Sequence, residues 1–246
     1  HAWTPDVYQG APTAVTAFMA AATKVAAFGA ALRIFYTAIS GAEWNWRPLI
    51  TVVAIITMLV GSLIAIVQRD VKRMLAYSSI AHAGFLLTGI LALNQSGVTA
   101  TLFYLASYGL TTMGAFALVS LVRDSSGEVT DLNRWVGLAR RSPQLAAIFS
   151  LFLLSFAGIP LTAGFIGKFT IFSAAYENGA IAVVVSGVIA SAIAAFFYIR
   201  VIVMMFFTEP GSDSVAISIP SRFTMAVIWI AAIATLIRSE EHSSEL

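Results

Sequence analysis

Two lysines stand where a lysine is expensive. Lys24 lies inside TAVTAFMAAATKVAAFGAALRIFY and Lys168 inside GIPLTAGFIGKFTIF, both almost wholly apolar. A lysine at the centre of a membrane helix costs about 2.5–3.5 kcal/mol on insertion scales, so an intramembrane charge points first to function. Lys24 falls roughly 16 Å into its segment at about 1.5 Å per residue, near the middle of a hydrocarbon core about 30 Å thick. The carboxylates are Asp6, Glu43, Asp70, Asp124, Glu128, Asp131, Glu177, Glu209, Asp213, Glu240, Glu241 and Glu245, and the segmentation places none of them at that depth. Lys24 therefore either meets a partner outside this chain or alternates between ammonium and amine, which is what a proton carrier does. The bland alternative is a structural ion pair.

Lys168 sits eight residues beyond Pro160. Proline removes a backbone donor and clashes with the preceding turn, so a helix break is expected at Gly158 and Pro160. Gly164, one turn before Lys168 on the same face, leaves backbone uncovered. Freed carbonyls near Ile159 could coordinate water or an ion, as in broken membrane helices. A kink used only for packing, with the lysine snorkelling outward, is the alternative. His82, in YSSIAHAGFLL, shares a helical face with Ser78 and Ser79. Histidine changes charge near neutral pH and suits a relay, although a histidine bonded to serine or backbone is equally ordinary. Tyr104, Tyr108 and Thr111 recur at i, i+4 and i+7, with Ser107 and Thr112 beside them. Such a hydroxyl stripe can order a water wire or bond helices together. Lys24, Lys168 and His82 are thus the candidate proton-transfer groups, and Ser78, Tyr104, Tyr108 and Thr111 the candidate wire lining.

The elements that must carry these groups are helices in a membrane. Charged residues make up 11% of the 246 and apolar ones 59%, with a mean hydropathy of +0.88; soluble domains carry about 25% charged residues. Seven apolar segments approach or exceed the length of a spanning helix: about 13–39, 48–67, 75–93, 98–122, 144–175, 180–208 and 222–238. Their continuous character, without period-2 alternation, predicts helices and not a barrel. Segment 144–175 is too long for one straight crossing, consistent with the break, and the polar stretch 123–143 has room for a small surface helix. Arg69, Lys72, Arg73, Arg123, Arg134, Arg140, Arg141 and Arg222 fall on one side, against Arg33, Arg47 and Arg238 on the other. The positive-inside rule then puts the His1 end in the cytoplasm and the C-terminal end outside. Arg200 can snorkel to the cytoplasmic surface. Asp70, Lys72 and Arg73 read as a cytoplasmic turn and helix start, with the basic residues setting topology. There are no cysteines, which excludes disulfides and thiolate metal or iron–sulfur ligation in this chain. Three histidines do not make a metal site, no nucleotide-binding or hydrolase motif appears, and a net charge of +2 gives no reason to expect nucleic acid.

Several motifs, taken together and in order, resemble a known family. HAWTPDVYQGAPT at the start, ATKVAAFG around Lys24, DVKRMLAYSSIAHAGF around His82 and GIPLTAGFIGKF around Lys168 resemble the antiporter-like membrane subunits of bacterial respiratory complex I, NADH-quinone oxidoreductase, in the form of its subunit N. The resemblance covers residues 1–237, and its alanine-rich wording is similar to actinobacterial versions. It implies an all-α polytopic fold and a partial proton-conducting domain, about helices eight to fourteen of fourteen: most of the second inverted repeat plus C-terminal helices. Residues 238–246 read as a non-native tail.

By the same resemblance Lys24 matches the central lysine, Lys168 the lysine on the second broken helix, tied to exit toward the outside, and His82 a position on the hydrated axis. The family's glutamate and its paired lysine fall on helices that this chain does not include. The implied activity is outward proton transfer driven by quinone reduction elsewhere in the complex. This chain would hold no cofactor: flavin, iron–sulfur clusters, NADH and quinone would be bound by other subunits. The implied partners are the M-type antiporter-like subunit, the small K and J subunits and lipid, in the bacterial plasma membrane. Alternatives are a subunit of a multisubunit cation/proton antiporter or membrane-bound hydrogenase, or a non-pumping structural subunit.

Overall fold

The structure is a computed structural model that describes residues 2–209, 216–218 and 220–237. The tail at 238–246, with Arg238, lies outside the described residues. Helices fall on every apolar segment. A short α1 (Thr4–Gly10) precedes α2 (Thr13–Arg33), which ends in a π turn over Ile34–Ala38; α3 (Glu43–Ile66), α4 (Val71–Ile90) and α5 (Gln95–Val119) follow. A short α6 (Leu138–Arg141) leads into α7 (Pro143–Ala157), α8 (Ala163–Glu177), α9 (Ile181–Phe207) and α10 (Arg222–Ile237). Among the described residues four helical stretches are each long and apolar enough to cross a membrane: Thr13–Ala38, Ser40–Ile66, Gln95–Val119 and Ile181–Phe207.

α4 is the hub. It packs against α1, α2, α3, α5, α8 and α9, and nearly all of its residues are buried. Its sequence explains why: alanine, glycine and serine dominate its middle, and small residues let membrane helices approach closely. The faces of α2, α3 and α9 that point away from it expose Phe18, Val52, Leu63, Ile189 and Phe196, as helices bathed in lipid do. Asp70 caps α4 by accepting from the Arg73 amide (2.8 Å), and Asn94 caps α5 by accepting from Gly97 (2.7 Å).

The expected break is present, with its ends defined. α7 stops at Gly158, whose φ of 78° is left-handed and suits a residue without Cβ. Pro160 and Leu161 carry the chain across, Thr162 donates to the Ile159 carbonyl (2.7 Å), and helix resumes at Ala163. Gly164 lets α8 pass directly over the end of α7: a Cβ there would fall 1.9 Å from the Ser155 carbonyl oxygen.

The charged end of the bundle contains structure that the apolar pattern does not reveal. Val122–Asp124 (β1), Gly127–Glu128 (β2) and Ala216–Ile217 (β3) form an antiparallel sheet in the order β2-β1-β3, with Arg123 opposite Glu128 and Val122 opposite Ile217. The Ser126 hydroxyl first, and then Arg134 at 2.5 Å, hold the Asp124 carboxyl well below the usual carboxylate range. Its contribution is present at neutral pH and is lost only as acid protonates it. The surface helix expected within 123–143 is there, as a 3-10 turn over Leu132–Trp135 and as α6. The segment 130–132 zips onto the start of α4, with Val71 donating to Thr130 (2.7 Å) and Leu132 to Arg69 (2.8 Å).

Lys72, at the start of α4, is 3% exposed and donates to the Ala11 carbonyl (2.6 Å) with Glu128 at 4.0 Å. Arg200 is exposed and donates to the Ile66 carbonyl (2.9 Å).

Replacing Gly164 by alanine in the full-length protein should force α8 off α7. Overpacking of this kind costs about 1–3 kcal/mol, which thermal unfolding in detergent would read as a lowered midpoint. An unchanged midpoint would mean that the two half-helices do not meet this closely.

Candidate functional site

The site is built where α2, α4, α5, α8 and α9 present polar groups to one another inside the bundle. Lys24 projects from α2 onto α4 and α5. Its Nζ donates to the Ser79 carbonyl, to the Ser79 hydroxyl at 2.7 Å and to the Tyr108 hydroxyl at 3.0 Å, and lies 4.3 Å from the Tyr108 ring centroid. All of these acceptors are uncharged. On its other side Lys24 borders a cavity of about 280 Å³ shared with Thr4, Tyr8 and Thr23. The rest of its wall is largely apolar, with Trp3, Phe28, Ile80 and Ala83, and at about 30 Å³ per molecule in the liquid it has room for water beside the ammonium.

His82 stands next along α4, 2% exposed. Its Nδ1 is 2.6 Å from the Tyr104 hydroxyl and its Nε2 is 3.5 Å from the Tyr198 hydroxyl. A neutral imidazole has one donor and one acceptor nitrogen, so the two tyrosines take opposite roles toward it. Exchanging those roles is how a histidine passes a proton across its ring. Ser78 bonds the Tyr198 hydroxyl, and the His82 ring lies 4.6 Å from that of Tyr108, the residue that holds Lys24.

Lys168, 5% exposed, reaches back from α8 to the end of α7. Its Nζ donates to the carbonyls of Phe156 (2.8 Å) and Ala157 (3.1 Å) and sits 4.6 Å from the Phe85 ring centroid. The last carbonyls of any helix lack intrahelical partners, and a cation near them is favoured by the helix dipole. The carbonyls freed by the break are thus taken by the lysine itself. Phe85 and Phe156 also flank His82, each at 5.5 Å between ring centroids. Lys24 and Lys168 therefore both approach one histidine, the first through Tyr108 and the second across two phenylalanine rings.

The ion pairs among the described residues, Lys72–Glu128, Arg73–Asp6, Arg134–Asp124 and Arg140–Glu209, all lie at the charged end; Lys24 and Lys168 belong to none of them. No group of three or more metal-ligating side chains occurs among the described residues.

Of the expected lining, Ser78, Tyr104 and Tyr108 join this cluster. Thr111 does not: it donates to the Ser107 carbonyl (2.8 Å) and faces Thr235 of α10 at 3.2 Å, so it bonds helices together. Tyr198 was not anticipated. It lies in the largely apolar run IASAIAAFFYIRV, whose other hydroxyl is that of Ser191, and a phenol among aliphatic residues was its one available signal.

Residues 1–194 match the family described as "NADH:quinone oxidoreductase/Mrp antiporter, TM". NADH-quinone oxidoreductase subunit N of Rhodococcus opacus (strain B4) is 62% identical over 237 residues, covering 96% of this chain and 44% of that protein. Respiratory complex I from Thermus thermophilus with bound Aureothin contains a chain that is 34% identical with a TM-score of 0.83, over 97% of this chain and 52% of that one. The Mrp complex from Dietzia sp. DQ12-45-1b shares the fold, with a TM-score of 0.89 at 22% identity over 100% of this chain and 53% of that one. The chain thus spans about half the length of these relatives.

Replacing Tyr104 by phenylalanine should leave His82 Nδ1 without its 2.6 Å partner. An orphaned buried polar atom costs about 1–3 kcal/mol, and thermal unfolding of the full-length protein would show it. A variant as stable as the parent would remove Tyr104 from the cluster.

Proposed function

The chain belongs to the NADH:quinone oxidoreductase/Mrp antiporter transmembrane family, and we propose that it is part of a subunit N-type, proton-translocating membrane subunit of NADH-quinone oxidoreductase. The observation that carries this reading is the pair of lysines, Lys168 buried and Lys24 half-buried, held by uncharged oxygens close to His82. A lysine kept for structure would be expected beside a carboxylate; one kept to gain and lose a proton is better served by neutral acceptors.

Residues 1–237 act as a partial proton-conducting domain, with the His1 end cytoplasmic, and the tail takes no part. A proton held at Lys24 passes by way of the Ser79 and Tyr108 hydroxyls and water to His82, where exchange of donor roles between Tyr104 and Tyr198 hands it toward Lys168. The two phenylalanines interrupt this line, so the last step needs water or a side-chain movement between Phe85 and Phe156. Positive charge on one lysine opposes positive charge on the other through a low dielectric. A charge arriving from a neighbouring antiporter-like subunit can therefore push a proton outward. Each charge moved against the membrane potential costs about 2.3 kcal/mol per 100 mV, which quinone reduction in other subunits supplies.

Cation/proton antiporters share this fold. The 62% identity to a subunit N, against 22% to the Mrp chain, favours the complex I reading.

The test is Lys168→Met in the full-length protein, in inverted membrane vesicles that contain the assembled complex. Proton uptake per NADH oxidised should fall while assembly is retained. Failed assembly would indicate a scaffold lysine, and unchanged uptake per NADH would remove Lys168 from the path.

A further inference from the structure

On α5 one buried hydroxyl stands unpaired. Thr112 lies one turn beyond Tyr108, at i+4 on the same helical face. It is 2% exposed, and its Oγ1 makes no hydrogen bond among the described residues. Threonines inside helices commonly donate to the carbonyl four residues back, as Thr99, Thr101, Thr111 and Thr235 do here. Thr112 does not, and an unpaired buried oxygen calls for a reason. Its neighbour supplies one, because the Tyr108 hydroxyl faces both Thr112 and Ser79.

The proton on Lys24 decides what that oxygen is for. Lys24 Nζ donates to the Ser79 carbonyl and hydroxyl and, at 3.0 Å, to the Tyr108 hydroxyl. A phenol has one hydrogen to donate and can also accept. With Lys24 an ammonium, the Tyr108 oxygen must turn a lone pair toward it and send its own hydrogen elsewhere. Ser79 Oγ already accepts from Lys24 and also meets the Tyr8 hydroxyl, which leaves Thr112 Oγ1 as the free acceptor. With Lys24 an amine, the nitrogen has a lone pair of its own, and the Tyr108 O–H can turn back to it. We propose that Thr112 is a positioning residue for the Lys24 proton: it holds the Tyr108 O–H while the lysine is charged and gives it up when the proton leaves. This rests on the proton-transfer reading above and deepens it by naming what sets the proton affinity of Lys24. Without the Thr112 oxygen, the O–H has no acceptor of its own and points at the nitrogen, which favours the amine.

The test is the pH profile of proton uptake per NADH in inverted vesicles that contain the assembled complex, for the full-length protein and its Thr112→Val, Thr112→Cys and Thr112→Ser variants. The ionisable side chains around Lys24 and Tyr108 are Tyr8 of α1, His82 of α4, Tyr104 of α5, Lys168 of α8 and Tyr198 of α9, and every variant shares them; α7 has none. Low pH favours the charged lysine, so a lower proton affinity moves the alkaline fall in uptake toward acid. Thr112→Val should move it by about half to one pH unit, which is about three- to tenfold less uptake at a fixed pH on that limb and the size of one ordinary hydrogen bond. Uptake on the acid side should be retained. Thr112→Cys, with a weaker acceptor, should fall between parent and Thr112→Val, and Thr112→Ser should restore the parent midpoint. An unmoved midpoint in Thr112→Val and Thr112→Cys, or uptake lowered equally at every pH, would overturn the positioning role. Lys24→Met measured alongside separates this from the underlying reading: parent uptake in that variant would remove Lys24 from proton transfer altogether.

Discussion

The contact between Lys168 and the end of α7 organises the interior. A helix interrupted inside a membrane exposes carbonyls that lipid cannot satisfy, and each unsatisfied group costs several kcal/mol. A buried ammonium has the complementary problem, needing acceptors at a depth where carboxylates are scarce. In this protein each answers the other, because Lys168 donates to Phe156 and Ala157. The tie depends on proton occupancy. Hydrogen bonds from a charged donor are roughly twice as strong as neutral ones, and the attraction to the helix end requires the charge. Loss of the proton therefore loosens the same contact that holds the break, while the amine can still donate. A proton-dependent grip on a broken helix is a physical means of joining charge movement to shape.

The surrounding elements follow from that constraint. α8 must cross the end of α7 closely enough for Lys168 to reach back, and Gly164 at the Ser155 carbonyl makes that possible. α4 must run through the centre so that Ser78, Ser79 and His82 meet helices on all sides, and its small residues permit it. The outer faces of α2, α3 and α9 can then be largely apolar. The ion pairs gather at the charged end, where Asp70 starts α4; Asn94 starts α5 at the opposite end, and both cap their helices in the manner of soluble proteins.

Much of this was legible in the sequence, and the reasons differ by feature. Apolar run length marks a membrane helix directly, and Gly158 with Pro160 marks a break, so the helical frame could be read. Lys24 and Lys168 were legible because a charge in an apolar run is costly wherever the helix points. Periodicity could place Tyr104, Tyr108 and Thr111 on one stripe, but a stripe does not say which neighbour covers each part of it. Two of the three met His82 and Lys24, and Thr111 met Thr235. The sheet of β1, β2 and β3 escaped notice because its strands are two or three residues long and one lies far along the chain. The burial of Lys72 was hidden for a related reason. Its cover comes from Ala11 and Glu128, both distant in sequence, and a basic residue near a helix start ordinarily reads as solvated.

The central claim is that Lys24 and Lys168 work as one line with His82 as the joint. The most direct measurement is proton uptake per NADH in inverted vesicles bearing His82→Ala in the full-length protein, with both lysines intact and assembly confirmed. A fall to the level seen when Lys168 is replaced is the result that a single line through the histidine requires. Uptake equal to that of the parent would contradict it, and would mean that the two lysines serve separate paths.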